Sequence, residues 1–79
     1  MENHAQEEAL KAHLLATDEA FRSLAEKHRQ YKQAIDAIEA KAHVTPADEI
    51  EEHRLKKLKL AVKDKMNEIL AQSKHSSVS

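Results

Sequence analysis

The sequence predicts an all-α protein, an antiparallel two-helix hairpin that is coiled-coil-like and assembles further into a helical bundle. Three observations predict it. The 79 residues contain no Gly and a single Pro, Pro46, which leaves few places for tight turns and argues against sheet-rich folds. Apolar residues recur at steps of three and four on both sides of that proline, the spacing of a helical seam. Thr45, Pro46 and Asp48 then form a helix start signal in the middle of the chain.

In the first half, Leu10, Leu14, Thr17, Phe21, Leu24, His28, Tyr31, Ile35, Ile38 and Ala42 follow the heptad rhythm. Asn3 can cap this helix, with Gln6 placed to reach back to it. The rod expected from this seam spans about residues 4–43 and would be about 58 Å long at 1.5 Å per residue. Its weak point is "ATDEAF", where Thr17 or Asp18 can cap a fresh helix and kink the rod.

The turn is expected at about residues 44–45. Thr45 then serves as N-cap, and Pro46 sits at the first helical position, where its missing amide costs nothing. The second helix, about 46–72, carries Leu55, Leu58, Val62, Met66 and Ile69 in one stripe, with Ile50 and Leu70 at its margins. The remaining 74–79, small and polar, read as a flexible tail of a domain spanning 1–73.

Two registers fold the stripes together. One sets Ile35 on Leu55, Tyr31 on Leu58, Leu24 on Met66 and Phe21 on Ile69; the other shifts Ile38 onto Leu55 and Ile35 onto Leu58. The second also brings Lys32 to Lys59 and Glu39 to Glu52, a mild penalty of about 1 kcal/mol at most for each exposed pair. Both leave the same hairpin core: Phe21, Leu24, His28, Tyr31, Ile35, Ile38, Leu55, Leu58, Val62, Met66 and Ile69.

Composition bounds the function. No Cys is present, so disulfides and thiolate metal sites are excluded, and the lack fits a reducing, cytoplasmic setting. The absence of Gly excludes glycine-rich phosphate cradles and dinucleotide fingerprints. No apolar run approaches the roughly 18 residues of a membrane span, and "MENHAQEEAL" lacks the regions of a secretory signal. Net charge is −1 but unevenly spread: residues 43–53 hold four acids, and 54–65 hold six bases against Asp64. Acids at the start of the second helix and lysines further along complement its dipole, and Glu52 and Lys56 are spaced to pair.

"LAEKHRQYKQAI", "LKKLKLAVKDKMNEIL" and the lead-in from Phe21 to Leu24 resemble the YdcH-like family of small bacterial proteins. The likeness covers about Leu14 to Gln72. It is specific in the second helix, through Lys56, Lys57, Lys59, Leu60, Lys63, Asp64 and Met66, and departs at Val62 and around "HVTPAD". The resemblance implies a small bacterial helical hairpin of unknown function and supplies no catalytic residues.

The candidate sites are surfaces. Leu10, Leu14 and Leu15 extend past what the second helix is expected to cover, and Leu60 lies nearly opposite its stripe. A thin core with two aromatics is marginal alone, so these leucines point to homo-oligomer formation. Lys56, Lys57, Lys59 and Lys63 are the possible anion contacts. Their scatter around the helix, with no aromatic and one Arg nearby, favours a solvated face over weak nonspecific nucleic-acid binding, and that over membrane contact. The six His form no His–x3–His or Glu–x–x–His spacing. Glu39 with His43 and Glu49 with His53 could meet across the turn, yet no metal or cofactor is expected. His28 occupies the seam, where it could act as a pH-sensitive element.

No nucleophile stands beside a base in a cleft, so no enzyme activity is expected. The expected function is a noncatalytic interaction and oligomerisation module whose second helix could also dock a protein partner, with a weak nucleic-acid-associated protein as the alternative.

Overall fold

The computed structural model describes the backbone of residues 4–78 and the side chains of residues 6–74. Asn3, the expected first cap, lies outside the described residues. Among them there are three helices and no strand: α1 His4–Thr17, α2 Glu19–Glu39 and α3 Pro46–Val78. The first expected rod is therefore two helices, and the two-helix hairpin is corrected to a three-helix chain.

The break falls at Asp18. Its backbone is extended (φ −110°, ψ 108°) and its Oδ1 accepts the Phe21 amide at 3.0 Å, capping α2. On the other side of the break the Thr17 hydroxyl donates to the His13 carbonyl at 2.8 Å, a back-bond that tends to bend helices. Thr17, placed in the seam by its spacing, is exposed.

α2 stops at Glu39, short of the expected His43, and the turn takes residues 40–45. The Ala40 amide donates to the Asp36 carbonyl at 2.9 Å, and the Lys41 amide to that of Ile38 at 3.1 Å. No described residue has positive φ. Without Gly, the left-handed shortcut that commonly ends a helix is not used, and reversal consumes more residues. Ala42, the last expected seam residue, lies outside the helix and is exposed.

α3 begins as its sequence signal implies. The Asp48 amide donates to Thr45 Oγ1 at 3.1 Å, and the Thr45 amide donates to Asp48 Oδ2 at 3.1 Å. This reciprocal pair satisfies both amides at the helix entrance. Lys41 Nζ adds an ion pair to Asp48 at 2.8 Å across the turn. Beyond the expected end at Gln72, α3 continues to Val78. Its 33 residues correspond to about 50 Å, close to the longest dimension of 52 Å.

α2 and α3 run antiparallel, because Ile35 and Ile38 cluster with Leu55 near the turn while Phe21 clusters with Leu70 at the far end. Leu55 packs with both Ile35 and Ile38, so the two registers share it as one knob against successive turns. Glu39 and Glu52 do approach the same place, and Lys56 Nζ lies between them at 3.6 and 3.5 Å. That bridge offsets the repulsion expected of the shifted register.

α1 closes the open end. Leu14 is buried with Phe21 and Leu70, and Leu10, Met66 and Ile69 pack against them. Glu7 pairs with Lys74 Nζ at 3.1 Å. Leu10 and Leu14 were expected to be an uncovered overhang; the Asp18 break lets α1 fold them onto the end of α3 instead. Leu70, expected at the margin, is buried, whereas Ile69 is only half-buried. Of the remaining expected core, Phe21, Ile35, Ile38 and Leu55 are buried, and Leu24, His28, Tyr31, Leu58, Val62 and Met66 are half-buried.

Candidate interaction surface

Two features of the surface invite function. The first is a groove at the junction of the three helices, a cavity of about 230 Å³. Phe21 and Ala25 from α2, Met66 and Leu70 from α3 and Leu15 from α1 give it apolar walls, and Lys11, His28 and Lys63 are its ionisable residues. It forms because α1 turns at Asp18 and leans on α3 without filling the space beside Phe21. Its volume falls below the roughly 300 Å³ at which small-molecule sites begin. A wider depression of about 600 Å³ involves α2 alone, between Glu19 and Gln30, and one helix cannot enclose a ligand.

His28 is half-buried at the groove. Burial holds its pKa below the ordinary value of 6.5, and the positive charges of Lys59, Lys63 and Lys32 push the same way. Neutral imidazole is thus favoured in the folded chain.

The second feature is the outer side of α3. Ile50 is 72% exposed and Leu60 57%, the large apolar side chains left exposed among the described residues of α3. Among the lysines of the basic run, Lys56 is held by Glu39 and Glu52. Lys57, Lys59 and Lys63 have no ion-pair partner among the described residues, and neither does Glu49. Arg54 is tied to Glu51 at 2.6 Å, which lowers the carboxyl's pKa chiefly through the hydrogen bond. Arg29 and Glu26 make the equivalent pair on α2.

Of the four leucines expected to mediate self-association, Leu15 and Leu60 remain exposed, while Leu14 is buried and Leu10 half-buried within the chain. Ile50, expected at the stripe margin, is exposed on the outer side of α3, and Lys11 and Asn67, not among the expected site residues, line the groove. The signal for Ile50 was available in its ten-residue offset from Leu60, which puts both on one side of a helix. Nothing in α1 alone announces Lys11, because its place depends on the angle at Asp18.

Glu39, His43, Glu49 and His53 do not converge: among the described residues no three His, Asp or Glu side chains gather as a metal site would require. No described helix is long and apolar enough to cross a membrane, and no described polar side chain is buried.

Three helices around a thin apolar seam, with the charged side chains on the outside, define a small all-helical protein. The family model described as "Protein of unknown function (DUF465)" matches residues 21–70, more than half of the chain, and the chain belongs to that family. The matched segment begins at Phe21 and ends at Leu70, two side chains that share one buried cluster. No curated protein matches the chain, and no solved structure does.

Proposed function

We infer that the protein is a noncatalytic helical interaction module that self-associates; its likeness to the YdcH-like bacterial proteins implies hairpin-like helices and no particular role. One observation carries this reading. Among the described residues Leu15, Val44, Ile50 and Leu60 are large apolar side chains left exposed, against six that are buried. A chain this short buries too little apolar surface to be comfortably stable by itself, and covering Ile50 and Leu60 adds about 1.5–3 kcal/mol for each fully buried side chain. The lack of cysteine accords with a cytoplasmic setting.

Leu60→Lys tests the reading. It should lower the association state in sedimentation equilibrium and leave helicity by circular dichroism unchanged. Lost helicity would make Leu60 part of the fold itself, and an unchanged association state would remove it from the interface.

A second reading rests on lysines of α3 that lack acid partners among the described residues. Lys57, Lys59 and Lys63 could hold phosphates of a nucleic acid, with Lys56 less available because two carboxylates already hold it. Such binding weakens steeply with salt, whereas apolar association does not.

A further inference from the structure

We propose that two copies of the chain pair antiparallel along the outer side of α3, with Ile50 of each copy against Leu60 of the other and Glu49 of each against Lys63 of the other. The proposal rests on the self-association reading and names its surface.

The surface is a second seam. Pro46, Ile50, His53, Lys57, Leu60, Asp64, Asn67 and Ala71 follow one another at steps of four and three along α3, and every one is exposed. At about 100° per residue these positions share one side of the helix, turned away from Leu55, Leu58, Val62 and Met66. Among the described side chains its large apolar members are Ile50 and Leu60, ten residues apart.

Charge then selects the direction. In an antiparallel pair whose axis lies midway between those two residues, Ile50 meets Leu60 twice, and the acidic start of one α3 lies along the basic stretch of the other. Glu49 and Lys63 flank the seam on the same side and come together across it, and these are charges that lack an ion-pair partner within the described chain. Asp64 falls beside Pro46 at the partner's helix N-terminus, where the helix dipole favours a carboxylate. Lys56 approaches its own copy near the axis, but Glu39 and Glu52 already flank it. A parallel pair would instead lay the two acidic helix starts side by side and the two basic stretches side by side. With two apolar anchors from each copy, the contact is small and the pair is a weak one.

The chain contains no cysteine, so a single Gln72→Cys variant takes one spin label at an exposed position. Gln72 is seventeen residues from the axis, and an antiparallel pair therefore separates the two labels by about 50 Å, taking 1.5 Å per residue. A parallel pair keeps them within about one interhelical spacing of 8–10 Å plus the label arms. Alongside this, Ile50→Lys should weaken the pair about tenfold or more. Glu49→Lys and Lys63→Glu should each weaken it, and the double variant should recover part of the loss. Association with short label distances, or association indifferent to Ile50→Lys, overturns the antiparallel seam and leaves self-association standing. A wild-type chain that stays monomeric at every concentration overturns both.

Discussion

Replacing Leu14 by Ala probes whether α1 belongs to the folded core. Leu14 is 6% exposed and shares a cluster with Phe21 and Leu70. The change removes three carbon groups at about 0.8 kcal/mol each, about 2.4 kcal/mol of transfer free energy. A cavity term adds to this, reduced because the adjoining groove gives neighbouring side chains room to close in, so the total is about 2.5–3.5 kcal/mol. A domain of this length holds about 4–12 kcal/mol in all, which makes the loss a large share of its stability. Urea denaturation reads it directly. With a slope of about 1 kcal/mol per molar for a small protein, the midpoint should fall by about 2.5–3.5 M, or to the point where the variant is partly unfolded without urea. Protein concentration must be held fixed, since association adds to apparent stability. Leu15→Ala, at a residue 40% exposed, is the matched control and should cost about 1 kcal/mol or less. If Leu14→Ala unfolds within about 0.5 kcal/mol of wild type, α1 is not docked on α3 and the three-helix core is wrong.

Asp18→Ala should cost about 1 kcal/mol through loss of the cap on the Phe21 amide, lowering the thermal midpoint by about 4–8 °C while helicity by circular dichroism holds or rises. Thermal stability should fall as pH drops below the ordinary His value of 6.5. His28 has a lowered folded pKa, so the unfolded chain binds the proton more readily, and the loss is complete once pH is below the folded value. Lys32 on α2, Lys59 and Lys63 on α3 and Lys11 on α1 surround it, and His28→Gln should flatten this limb of the pH profile. A further loss should follow below about pH 4, where Asp48, Glu26 and Glu51, all held below their ordinary values by hydrogen-bonded cations, take up protons. These groups still reach solvent, Glu26 exposed and Asp48 and Glu51 half-buried, so high salt should shrink that second step. Lys56→Gln should cost no more than about 1 kcal/mol, again less at high salt, because it uncovers Glu39 to Glu52.

How much of this was legible depends on the range of the forces involved. The α3 entrance could be read because Thr45, Pro46 and Asp48 satisfy each other within four residues. The α2 and α3 stripes could be read because periodicity records which side chains turn inward. The Asp18 break could be seen only as an option: a cap is worth about 1 kcal/mol, similar to what continued helix would offer. Burial of Leu14 against Leu70 tips that balance, and this contact joins residues far apart in sequence. The same contact explains why Leu10 and Leu14 looked uncovered and why Leu70 looked marginal. The turn was expected too short because the spacing rule carried the seam to Ala42, whereas a chain without Gly needs more residues to reverse.

Sedimentation velocity of the purified chain with a labelled DNA duplex, run from low to high salt, tests the central claim most directly. A self-associating module runs larger than a monomer, keeps that size as salt rises and leaves the duplex unaffected. A duplex that sediments faster with the protein and slows again as salt rises, beside a protein that is monomeric alone, would contradict the account and make the lysines of α3 a phosphate-binding surface.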